Sequence, residues 1–94
     1  MNLRRVRLDV DWAIGGPNIA MVATAIDDVE GVEAANITIT EIDLETVGTD
    51  IVVEGNGLDL EALTSAIEHA GAVVHSVDEV AIGDRIVDFA PRRR

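Results

Sequence analysis

No lysine, cysteine or tyrosine occurs in this chain of 94 residues, and its aromatic content is one Trp and one Phe. Without cysteine there is no disulfide frame, no thiolate zinc site and no cysteine nucleophile. With only Trp12 and Phe89 to contribute rings, the core has to be assembled from Ala, Val, Ile and Leu, which make up most of the 48% apolar content. That content predicts a folded chain, not a disordered one, and the length is that of a single domain spanning 1–94. Uninterrupted apolar runs are also missing. The opening stretch, Met1 to Asp11, alternates charged with apolar residues, which argues against a signal peptide or membrane span and predicts a cytoplasmic location.

Positive charge is scarce in the middle of the chain. All seven cations are Arg, at positions 4, 5, 7, 85 and 92–94, while every acidic residue except Asp88 lies between Asp9 and Asp84. A net charge of −11 repels nucleic acid and anionic membranes and costs stability through self-repulsion. The terminal Arg clusters have no interleaved aromatics, so a neighbour's acidic surface suits them better than a nucleic acid. At molar ionic strength the Debye length falls to about 3 Å and the repulsion is relieved. The Lys-free acidic composition therefore fits the cytoplasm of a salt-accumulating archaeon.

Val6, Leu8, Val10 and Trp12 alternate with Arg5, Arg7, Asp9 and Asp11, the period of a strand with one buried face. Gly15, Gly16 and Pro17 break it and introduce a helix with apolar positions Ile19, Val22, Ala23, Ile26 and Val29, closed by Gly31. β-Branched residues mark a second strand over 32–44 and a third over 49–54, joined as a hairpin by a turn around Gly48. Gly55 to Gly57 interrupt the chain. Asp59 can then cap a second helix with the stripe Leu60, Leu63, Ile67 and Ala70, ended by Gly71. A fourth strand follows over about 72–82. Strand, helix, strand, strand, helix, strand is the split βαβ order of an α+β, ferredoxin-like sandwich. Right-handed crossovers give the sheet order 4-1-3-2 with both helices on one face. Residues 83–94 read as a short extra strand or an arm.

Three stretches, Asn36-Ile-Thr-Ile-Thr-Glu-Ile-Asp43, Glu54-Gly-Asn-Gly-Leu-Asp-Leu60 and His75-Ser-Val-Asp-Glu-Val80, resemble the archaeal domain of unknown function 211 family. The resemblance implies the ferredoxin-like fold, assembly into rings or larger homo-oligomers, and an association with divalent cations such as calcium. It implies no enzymatic activity. Relatives tend to carry an acidic residue after the Gly-Asn pair, where this chain has Gly57, so no ligand is expected there.

Strands two and four are the expected sheet edges, and the same topology is read as running them in one direction with their carboxyl ends on a shared rim. Glu41 and Asp43 end strand two, Asp78 and Glu79 lie toward the end of strand four, and Asp84 follows it. Across a joint between unlike edges these five carboxylates are candidate calcium ligands, since calcium takes six to eight oxygens. The family motifs fall on the same residues. A second acidic pattern, Asp43, Glu45, Gly48 and Glu54, matches a calcium-loop spacing, but Val47 stands at a ligand position and the segment reads as a hairpin.

His75 points away from Ser76 and Asp78 on a strand, which argues against a catalytic triad. His69 is placed to meet the last carbonyls of its helix. No carboxyl pair sits in an evident apolar pocket, so general acid–base chemistry has no signature. The expected function is a non-enzymatic protein that assembles itself into rings or filaments under calcium control. The alternative is a regulatory domain of the ACT type, with a small molecule at Gly15 to Asn18.

Overall fold

The computed structural model describes residues 1–88, so the sequence reading of 83–94 as strand or arm falls partly outside the described residues. Its elements are β1 (Leu3–Ala13), α1 (Ile19–Asp27), β2 (Val32–Ile42), β3 (Thr46–Gly55), α2 (Leu60–His69) and β4 (Val73–Ile82). They form one antiparallel sheet in the order β2-β3-β1-β4, the expected order read from the other edge. This is the α+β ferredoxin-like fold.

Alternation on the two central strands decides which face is covered. Val6, Leu8, Val10 and Trp12 of β1 and Thr49, Ile51 and Val53 of β3 are buried on one side. Val22 and Ile26 of α1 and Leu63 and Ile67 of α2 close over that same side and join the same core cluster, so both helices share one face. The one buried polar side chain in this layer, Thr49, is satisfied because its hydroxyl donates to the Val10 carbonyl at 2.6 Å. The other face carries Arg5, Arg7, Asp9 and Asp11 of β1 and is left open by the described residues.

Both helices start on side-chain caps. Asn18 accepts from the amide of Met21, and Asp59 accepts from the amide of Ala62. The second helix ends as its sequence predicts: Gly71 (φ 99°) donates to Glu68 and Ala72 donates to Ile67, a Schellman closure. The first does not. It stops at Asp27, with Asp28 as cap, and Gly31 (φ 93°) turns the chain three residues further on. The β2–β3 turn also differs from expectation. Asp43 closes it with one carboxylate oxygen that accepts from the amides of Glu45 and Thr46 and from the Thr46 hydroxyl. Gly48 therefore sits inside β3, paired with Glu41 on one side and Asp11 on the other.

The edge directions correct the shared-rim expectation. β2 is antiparallel to β3 and thus runs with β1, whereas β4 is antiparallel to β1. β2 and β4 run in opposite directions. The end of β2 lies level with Trp12, because Ile42 pairs with Val47 and Val47 with Trp12, while the end of β4 lies level with Leu3.

Candidate functional site

Glu41 and Asp43 lie at the Trp12 end of the sheet. With Asp11, Thr46 and Gly48 they border a polar cleft of ≈ 180 Å³ on the open face. Gly48 keeps this cleft clear, since a Cβ there would stand 3.4 Å from Asp11 Oδ1 and 3.6 Å from Glu41 Cβ. The three hydrogen bonds that close the hairpin, led by the Glu45 amide, hold the Asp43 carboxyl below the usual carboxylate range. Asp43 thus has a structural task besides that of a candidate ligand, and the Asp-x-x-Thr spacing of a side-chain-closed turn is its signal in the sequence. His75 joins this end as well, its Nδ1 3.9 Å from Asp11 Oδ2.

Asp78, Glu79 and Asp84 lie toward the opposite end. Glu79 pairs in register with Arg7, whereas Glu41 is level with Asp11, so about 13 Å of β1 separates the two levels. Within one subunit the five expected ligands are not brought together. Among the described residues, no group of three or more His, Asp or Glu could hold a metal ion. Glu79 instead faces Arg5, which the sequence reading passed over. The Arg5 guanidinium donates to Glu54 at 2.9 Å, lies 3.8 Å from Glu79 and reaches Asp88 at 3.5 Å. The Glu54 hydrogen bond is the main cause that pushes its pKa up. Ser76 donates to Asp78 at 2.7 Å, while His75 faces Asp11, so these three residues form no triad.

The remaining expectations concern loops. In Gly15 to Asn18, Gly16 donates to the Ala13 carbonyl, Gly15 adopts φ 89° and Asn18 caps α1, so the turn and the cap use its distinctive residues. His69 Nδ1 lies 2.8 Å from the Ser65 carbonyl, next to the helix end as anticipated.

The sheet edges carry much of the exposed apolar surface. The two helices cover the central strands and leave the flanks open: Ile39 and Ile42 (64% exposed) on β2, and Val77, Val80 (55% exposed) and Ile82 on β4. In register, Ile39 pairs with buried Thr49, Val77 with Leu8 and Val80 with Val6, so these residues belong to the helix-covered side. Two grooves follow these flanks. One, of ≈ 380 Å³, lies between α1 and β2 and includes Ile19, Ala23, Val32 and Ile37; the other, of ≈ 350 Å³, lies between the start of α2 and β4 and includes Leu3, Leu60, Val80 and Ile82. Among the described residues, no helix is long and apolar enough to cross a membrane.

Residues 4–94 match the family model of domain of unknown function 211, described as "Uncharacterized ArCR". An uncharacterized protein of Methanocaldococcus jannaschii is 35% identical over 86 residues, covering 92% of this chain and 88% of the relative.

Proposed function

We infer, from the premise that the chain belongs to the domain of unknown function 211 family, that it is a non-enzymatic protein that assembles with copies of itself. The observation that carries this reading is the pair of free edge strands, β2 and β4, each with exposed apolar residues on the helix side. Unpaired edges are templates for another strand. With the helices of neighbouring subunits on the same side, β4 of one subunit would meet β2 of the next antiparallel, because the two edges run in opposite directions. Val77 and Val80 would then flank the neighbour's Ile37 and Ile39, joining the two apolar flanks. Such a contact between unlike edges repeats into a ring if it closes and a filament if it does not.

Calcium has a place in this reading only between subunits. In that register Asp84 would come beside the start of the neighbour's β2, where Glu33 stands, and Glu41 and Asp43 beside the neighbour's His75, while Asp78 would face the middle of the neighbour's strand near Thr38. The first grouping offers oxygen ligands alone, the donor set calcium prefers. Bound there, the ion would convert like-charge repulsion into bridging and make assembly responsive to calcium in a salt-rich cytoplasm. Light scattering after size-exclusion chromatography tests both parts, with wild type and Val80→Lys each run in calcium and in chelator. We expect wild-type oligomers that loosen on chelation, and a Val80→Lys variant shifted toward monomer. A wild-type monomer in every condition would end the assembly reading; oligomers indifferent to chelation would remove calcium from it.

A further inference from the structure

The open face of the sheet has a charge gradient along β1. At its Leu3 end Arg5 and Arg7 stand among four carboxylates, Glu54, Glu79, Asp88 and Asp50, the last 3.7 Å from Arg7. Toward the Trp12 end come Asp9 and Asp11, and beside them Glu41 across Gly48. Among the described residues none of these three acids is paired with an Arg; Asp11 has only His75. Both ends are thus acidic in sum, but the Leu3 end holds two Arg among its four carboxylates, whereas among the described residues the Trp12 end has no Arg, only His75.

We propose that residues 89–94 of the same chain, Phe-Ala-Pro-Arg-Arg-Arg, dock across this open face and supply the missing cations. The starting point is fixed by Asp88, which lies at Arg5. From there the reach agrees with the charge pattern. Arg92 and Arg94 follow Asp88 by four and six residues, about 13 and 20 Å of extended chain. Along β1, Asp9 and Asp11 follow Arg5 by the same four and six residues, at nearly the same rise. A segment laid along the strand therefore brings each Arg level with an acid. Phe89, the first residue of the segment, would be within reach of a shallow depression of ≈ 210 Å³ beside Glu54, floored by Val52 and edged by Ala34 and Asn36. Proline at 91 suits a strand that adds no amide to a ladder. The three Arg are close to half of the seven cations in the chain, so their placement sets the field over the whole sheet face. This inference does not depend on assembly through the edges.

The absence of cysteine makes the test direct. Val52 is paired with Arg7, two residues along β1 from Arg5, and Ala90 lies two residues beyond Asp88. A Val52→Cys/Ala90→Cys chain should therefore close a disulfide within one chain under mild oxidation, without altering any charge. Closure should slow about fivefold when Arg92, Arg93 and Arg94 are all replaced by Gln, the loss expected of the two exposed ion pairs made by Arg92 and Arg94, and similarly in 1 M NaCl. Denaturing, non-reducing electrophoresis separates intrachain closure from linked dimers. Closure at a rate insensitive to both changes would show a free tether and overturn the proposal. So would failure to close, or cross-links formed mainly between chains, which would place the segment on a neighbour instead.

Discussion

Replacing Gly55 with Ala should destabilise the protein more than a single methyl group ordinarily does. Gly55 ends β3 in a buried position where the chain passes directly over the turn after α1. A Cβ there would overlap the Gly31 carbonyl oxygen and stand 2.7 Å from Leu58 Cδ2. Relief is blocked on the backbone side, because the Gly31 carbonyl accepts the Asn56 amide at 3.2 Å and Gly31 itself holds φ 93°. Overpacking of this kind costs about 1–3 kcal/mol. Reducing the freedom of the unfolded chain returns about 0.4–1 kcal/mol. Because the overlap is with a backbone atom that cannot move away, the overpacking cost lies in the upper part of its range, about 2–3 kcal/mol. The net loss of about 1–2.6 kcal/mol lowers Tm in a domain of this size by roughly 4–20 °C. Gly48→Ala is the control: its Cβ meets nothing closer than 3.4 Å and its φ is not positive, so Tm should hold or rise slightly. Thermal melts followed by circular dichroism, at one protein concentration and one salt, measure both. If Gly55→Ala melts within 2 °C of wild type, the close crossing of β3 over the Gly31 turn is not what constrains this corner.

Asp43→Asn should keep the turn, since an amide oxygen accepts the same three bonds, whereas Asp43→Ala should open it; amide exchange at Thr46 distinguishes the two. Because the folded Asp43 pKa is lowered, its contribution is fully present above the unfolded value near 4 and is lost as pH falls through the lower folded value. Wild type should thus lose its advantage over Asp43→Asn below about pH 4, and an advantage unchanged down to pH 2 would contradict the hydrogen bonding described. Raising KCl from about 0.1 to 3 M should increase Tm, because the −11 charge is screened; a flat or falling Tm would show that repulsion is not limiting. Leu63→Ala, at a fully buried helix position, should cost about 2–5 kcal/mol in denaturant unfolding.

Element order, sheet order and the covered face were legible because Val6 to Trp12 and the two helix stripes express their periods plainly. The hairpin was harder. Gly48 invited a turn, but the turn was decided by side-chain hydrogen bonding from Asp43, which acts over three residues and leaves no mark in hydropathy. The candidate ligands were misplaced for a different reason: their residues were read correctly, but strand direction sets where they go. A strand that runs with β1 and a strand that runs against it cannot bring their carboxyl ends to one rim. Arg5 escaped notice because its partners, Glu54, Glu79 and Asp88, come from three separate parts of the chain and only the folded sheet gathers them.

Trp12 gives the molecule a built-in optical probe. It is the sole tryptophan, tyrosine is absent, and it lies 5% exposed at the end of β1, across from Val47, whose other partner is Ile42. Its ultraviolet emission therefore originates at a single known place, the rim where β2 ends and where its chain neighbour Asp11 turns toward Glu41. A strand laid along Ile42 would dry the indole and shift its emission to shorter wavelength. An ion held by Asp11 and Glu41, on the other side of the sheet, would act on it only through the backbone they share.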